Sequence, residues 1–75
     1  MTGDSADDFE PHRRFLCGLA YRMLGSVAES EDVVQDAFLR WRQVEREEIA
    51  EPRAYLARIV SRLCLDRMKS ASHRR

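Results

Sequence analysis

An all-α fold, a compact three-helix domain, is what this sequence predicts, and three observations predict it. Apolar residues recur at helical spacing in three successive stretches. No run alternates with period two, and no Asn-Gly or Asp-Gly turn separates apolar runs. The composition, 44% hydrophobic and 35% charged with three Gly and two Pro in 75 residues, suits one small helical domain and argues against disorder. At this size a single core is only just sufficient.

Met1 to Asp8 is polar, small and acidic without periodicity, and is expected to be a disordered acidic leader. The helical domain is expected over residues 9–69. Helix 1 is expected from Phe9 or Glu10, with Pro11 in its first turn, where a missing N–H costs nothing. Leu16, Leu19, Ala20, Met23 and Leu24 form its apolar stripe, flanked by Phe15 and Cys17. Gly25 suits the left-handed position that ends a helix, so Gly25-Ser26 is the whole connection to helix 2. So short a link implies helices packed against each other at a sharp angle.

Helix 2 spans Ser26 to about Val44. Ser26 followed by Glu29 forms a capping box in which both side chains can satisfy first-turn N–H groups. Glu29, Glu31 and Asp32 place negative charge at the positive end of the helix dipole. Val34, Ala37, Phe38 and Trp41 recur at i, i+3, i+4, i+7 and make a core stripe, with Val33 and Val44 at its margin. Asp32, Gln35, Asp36 and Leu39 recur at the same spacing and point roughly 160° away, at about 100° per residue. A solvent face usually carries mixed charge and no leucine. Two carboxylates, an amide and a leucine in one exposed stripe mark a docking surface.

Residues 46–51 read as a loop, with room for a short helical turn in 45–51 and with Ile49 as its anchor to the core. Glu51-Pro52 disfavours helix at Glu51 and marks a new start. Helix 3 runs from Pro52 to about Met68 or Lys69, roughly 25 Å long, with a core stripe of Leu56, Ile59, Val60 and Leu63. Arg58, Arg62 and Lys69, with Tyr55 at the edge, project from another side as a basic stripe with an aromatic alongside. That combination suits phosphate contacts and stacking on an unpaired base. A solvated helix face, with Asp66 partnering Arg62, explains the same arginines equally well. The basic tail, residues 70–75, has no cap and no apolar anchor, as though cut from a longer chain.

The formal net charge is zero, but residues 1–10 carry four acids and no base, and residues 53–75 carry seven bases against Asp66 alone. That segregation points to an anionic partner for the C-terminal third only. Cys17 and Cys64 lie in apolar helical runs without CxxC spacing and read as buried small hydrophobes of a reducing cytosol. Nothing places His12 or His73 beside them, and no metal site is expected. No apolar run approaches a membrane span and the N-terminus is acidic, so a soluble cytoplasmic protein is expected, without membrane contact. No catalytic constellation is visible either. Asp32 and Asp36 sit one turn apart on an exposed face with no companion His or Cys to tune them. There is no Gly-rich phosphate loop. Neither an enzyme nor a cofactor is expected.

The run AYRMLGSVAESEDVVQDAFLRWRQ, followed by EPRAYLARIVSRLCLDRMKS, resembles region 2 of bacterial sigma factors, and more narrowly the extracytoplasmic-function (ECF) group of the sigma-70 family. The resemblance extends over about Phe9 to Arg75 and is strongest at Asp32-Val-Val-Gln-Asp-Ala-Phe38, with Pro52-Arg-Ala-Tyr-Leu56 at the matching distance. It implies a domain that docks on RNA polymerase core and opens promoter DNA. Carried over by position, it implies that Asp32, Gln35, Asp36 and Leu39 meet the beta-prime clamp helices. It likewise implies that Arg53, Tyr55, Arg58, Arg62 and Lys69 engage the −10 element, capturing an unstacked base of the non-template strand. An anti-sigma factor or a C-terminal regulatory domain are further partners the resemblance admits, the ending being similar to a subgroup with an extra C-terminal domain. This helix departs from the family pattern in two places, with Tyr55 where tryptophan is common and Arg62 where asparagine is frequent. Arginine offers donors only, whereas asparagine offers a donor and an acceptor.

Two other readings compete. One is a helical adaptor that binds protein and leaves its basic stripe unused. The other is a helix-turn-helix reading duplex DNA, which is disfavoured because Gly25-Ser26 would present the acidic helix 2 to phosphates.

Overall fold

The computed structural model describes residues 5–44 and 48–74, with side chains described over 9–44 and 48–70. Among these residues the elements are α1 (Ser5–Leu24), α2 (Val27–Trp41) and α3 (Pro52–Arg74). The chain folds all-α, as its periodicity requires.

α1 starts at Ser5, ahead of the expected Phe9 or Glu10, and carries Pro11 inside it. Residues 5–8 of the expected leader are therefore helical, and 1–4 lie outside the described residues. Pro11 forfeits one backbone hydrogen bond there. Burial of Phe9 favours keeping the turn ahead of it: the ring is fully buried, sits 5.0 Å from Phe38 edge-on, and has the Arg13 guanidinium 5.3 Å from its centroid. Phe9, Leu16 and Ala20 form the inner line of α1, while Leu19, Met23 and Leu24 pack half-buried around it. Gly25 closes the helix at φ +70°, its N–H donating to the Tyr21 carbonyl at 2.8 Å, the left-handed stop expected of a glycine.

Ser26 caps α2 from an extended conformation (φ −139°, ψ 125°), its Oγ accepting from the Glu29 N–H at 3.3 Å. Only this half of the expected capping box forms among the described residues. The Glu29 carboxylate instead lies 3.9 Å from Arg67 of α3. Ser30, one turn on, is nearly fully buried and donates its hydroxyl to the Ser26 carbonyl at 2.6 Å, so its burial leaves no polar group unpaired. Replacing Ser26 with alanine removes the cap and is expected to lower stability by about 1 kcal/mol, readable as a lower midpoint in a urea titration with an unchanged slope.

Val33, Val34, Ala37 and Trp41 fill the centre of the core. α2 ends at Trp41, short of the expected Val44. The last carbonyls are taken up in a tighter turn, with Gln43 N–H on Arg40 C=O at 3.0 Å and Val44 N–H on Trp41 C=O at 3.4 Å. Beyond it, residues 45–47 lie outside the described residues, as does any helical turn expected there; Glu48 is in a 3-10 turn and Ile49 is half-buried against the core.

α3 begins at Pro52, and the Tyr55 N–H donates to the Glu51 carbonyl at 2.9 Å, so Pro52 occupies the first helical position. The helix runs to Arg74, beyond the expected Met68 or Lys69. No Gly or Pro follows Lys69 to stop it. Its innermost line is Leu56, Val60 and Cys64, with Ile59 and Leu63 half-buried at the margin. The helix is therefore rotated from the expected stripe, turning Ile59 and Leu63 toward the edge of the core.

Burial pushes the Cys64 thiol above its ordinary value of 9.0, with Arg67 pulling weakly the other way. A raised folded-state value means that the fold favours the protonated thiol. Its contribution is present below pH 9.0 and is lost as pH rises through the folded value. The alkaline fall in stability is expected to be shallower in Cys64→Ala than in the parent, although the variant starts lower because of the cavity.

Candidate functional site

One exposed face belongs to α2 alone, and the other is shared by the end of α2 and α3. On α2, the core side takes Val33, Val34, Ala37 and Trp41, which turns Asp32, Gln35, Asp36 and Leu39 outward. All four are exposed, Leu39 to 44%. A leucine with that exposure beside two carboxylates offers a partner both an apolar contact and charge. Asp32 is not isolated in this stripe: its Oδ2 lies 3.9 Å from Arg67 Nη2, with 70% of the side chain exposed. At that separation and exposure the pair contributes little to stability. It does link the stripe to α3, a link that periodicity within one helix cannot reveal.

The end of α2 and the middle of α3 enclose a concavity of about 480 Å³. Val44, Ile59 and Leu63 supply its apolar part. Tyr55, Arg58 and Arg62 of α3 line it together with Arg40, Gln43 and Asp66. Three guanidinium groups against one carboxylate give the cleft a positive rim over an apolar floor. Tyr55 is half-buried with its ring centroid 6.1 Å from that of the buried Trp41, which seats the aromatic wall against the core. The adjoining hollow shares Val44, Tyr55 and Arg58 and continues along Ile49, Ala50 and Ala54. Ion pairs among the described residues lie elsewhere, joining Arg13 to Glu10 and Arg67 to Glu29 and Asp32. Arg62 is therefore not engaged by Asp66.

The basic set expected on α3 divides in the structure. Tyr55, Arg58 and Arg62 meet in the cleft; Arg53 and Lys69 are not among its walls. At about 100° per residue, Arg53 falls roughly 140° from Arg58 around the helix. Its guanidinium lies 4.1 Å over the Phe15 ring of α1, a cation–π contact that ties the start of α3 to α1. Lys69 is in angular register with Arg58 but three turns further along, exposed near the end of the described side chains.

Arg40 and Gln43 are the cleft residues that reading each helix separately missed. Their signal was present in the change from the acidic start of α2 to the basic Arg-Trp-Arg-Gln at its end. Among the described residues no cluster of three or more His, Cys, Asp or Glu could hold a metal ion, and no helix is long and apolar enough to cross a membrane.

Comparison with known proteins places the chain in a family. The sigma-70 region 2 family model matches residues 9–74. The chain is 52% identical over 68 residues to the ECF RNA polymerase sigma factor SigJ of Mycobacterium tuberculosis, covering 91% of this chain and 22% of that protein. It is 36% identical over 74 residues to the ECF RNA polymerase sigma factor SigG of the same organism, covering 96% of this chain and 20% of that protein. The chain thus spans about a fifth of the length of these relatives. No solved structure matches it.

Proposed function

This chain belongs to the sigma-70 region 2 family, and from that membership we propose that it serves transcription initiation in the cytoplasm by holding RNA polymerase core with one face and promoter DNA with another. The α2 stripe, Asp32, Gln35, Asp36 and Leu39, docks on the beta-prime clamp helices, whose complementary surface would offer bases to the two carboxylates and an apolar seat to Leu39. The α3 cleft receives the −10 element. Arg58 and Arg62 contact phosphates of the non-template strand, and the Tyr55 face stacks on a base that has left the duplex. Melting follows by trapping: a base stacked in the cleft is withdrawn from pairing, and the open strand is held by the arginines. No bond is made or broken in this role.

The observation that carries this reading is the meeting of Tyr55, Arg58 and Arg62 in one cleft, whose walls include none of Asp32, Gln35, Asp36 and Leu39. A phosphate-binding surface needs several cations in one place, and the rotation of α3 provides it while sending Arg53 to Phe15.

The test is binding of single-stranded −10-like DNA in the presence of the clamp, measured across salt concentrations. Affinity is expected to fall with salt. Arg58→Ala with Arg62→Ala is expected to weaken binding at least about tenfold and to reduce the salt slope by about 1.4 through two lost phosphate contacts. Arg53→Ala is expected to change it little. Binding that is absent or insensitive to salt would favour a protein-binding adaptor that makes no DNA contact.

A further inference from the structure

We propose that Gln43 is a specificity-determining residue of the cleft and that it reads adenine on the captured single strand; this rests on the nucleic-acid reading of the cleft given above. The argument begins with what the other walls can and cannot recognise. Arg40, Arg58 and Arg62 carry donors only, Asp66 when ionised carries acceptors only, and Tyr55 offers a face that any base can stack on. The arginines can match the paired acceptors of guanine and Asp66 the amino group of cytosine, but neither matches the adjacent donor and acceptor of adenine. The chain contains two carboxamide side chains, Gln35 and Gln43, and no asparagine. Gln35 is on the α2 stripe, whereas Gln43 lines the cleft. Gln43 is thus the cleft residue that presents a donor and an acceptor side by side, the pattern that pairs with adenine through its amino group and ring nitrogen.

The local backbone supports this placement. α2 ends at Trp41, and the Gln43 N–H is bound to the Arg40 carbonyl at 3.0 Å in the turn that follows. Had the helix continued to Val44, as periodicity predicts, Gln43 would fall within about 20° of Asp32 around the axis and share its face. With the turn that forms instead, Gln43 lines the cleft from the α2 side, in the same concavity as Arg62 and Tyr55 of α3. The residue is exposed, so its carboxamide is available to a ligand. A base stacked on Tyr55 would present an edge to the rim where Gln43 stands, while Arg58 and Arg62 hold the flanking phosphates.

The experiment uses the chain assembled with core polymerase and a thymine strand carrying one test base, scanned along the strand. The test bases are adenine, guanine, cytosine and purine, the last lacking the amino group of adenine. At one position, adenine is expected to be favoured over purine by about tenfold. Gln43→Ala is expected to abolish that preference while binding stays salt-dependent and within about twofold of the parent on the all-thymine strand. Gln43→Glu, which offers acceptors only, is expected to shift the preference toward cytosine and to weaken all strands. Gln43→Ala binding that keeps the parent's adenine preference overturns the inference and leaves the cleft reading standing. If the parent chain binds no strand, or binds regardless of Arg58→Ala and Arg62→Ala, the cleft reading fails and the inference falls with it.

Discussion

Trp41→Ala is expected to take the domain to the edge of unfolding. Trp41 is the largest fully buried side chain, with Phe9, Leu16, Val34 and Leu56 among the core residues of all three helices around it. Removing so large a buried side chain typically costs about 3–5 kcal/mol. A domain of 75 residues has a total stability of about 4–11 kcal/mol at the usual per-residue range, so this one substitution removes a large part of it. Its melting temperature, followed by far-UV circular dichroism, is expected to drop by roughly 15–30 °C. The cleft should suffer before the fold does, because Tyr55 rests against Trp41 at 6.1 Å. Trp41→Phe keeps much of the buried area and is expected to retain the fold. An unchanged melting temperature in Trp41→Ala would mean that the core is not centred where the three helices meet.

The second large effect is on partner binding. Asp32→Lys with Asp36→Lys is expected to reduce affinity for a clamp fragment by about 100-fold or more, since like charges brought face to face cost several kcal/mol. The same double change should leave the fold nearly untouched. Both side chains are exposed, and the one described ion pair that is lost, Asp32 with Arg67 at 3.9 Å, is largely solvated. Leu39→Ala adds a smaller loss, about tenfold, if the leucine fills an apolar seat at the centre of the contact. The pairing of a large binding loss with a small stability loss separates a docking surface from a structural one. Equal losses in both would show that the stripe belongs to the fold.

These two expectations also show what was legible in the sequence. The helical class, the Gly25 stop, the Ser26 cap and the Pro52 start are local events, set by residues within one turn of each other, and the structure forms each of them. The inward side of α2 was legible for the same reason, because its apolar positions repeat at the helical period. Helix ends were less so. α1 extends back to Ser5 as Phe9 buries against Phe38, and α2 stops at Trp41 through backbone bonds that leave no mark in side-chain pattern. Serine at position 30 reads as polar, yet its hydroxyl finds a carbonyl and the residue is buried.

The candidate site divides along the same line. The α2 stripe needed only one helix to be seen. The cleft needed two, because Arg40 and Gln43 join Tyr55, Arg58 and Arg62 through packing of α2 on α3. Arg53 belonged to the basic stretch in sequence and departs from it in space, since a short step along the helix carries it round to Phe15. The link from Arg67 to Asp32 is likewise a tertiary fact.

The central claim is that polymerase and DNA are held by separate faces, and a crossed binding measurement tests it most directly. Affinity for the clamp fragment and affinity for single-stranded −10-like DNA are each measured for the parent chain, for Asp32→Ala with Asp36→Ala, and for Arg58→Ala with Arg62→Ala. The separate-face account predicts that the first variant loses the clamp and keeps its intrinsic hold on DNA, while the second loses DNA and keeps the clamp. Variants that lose both partners together, or that lose neither, would contradict it.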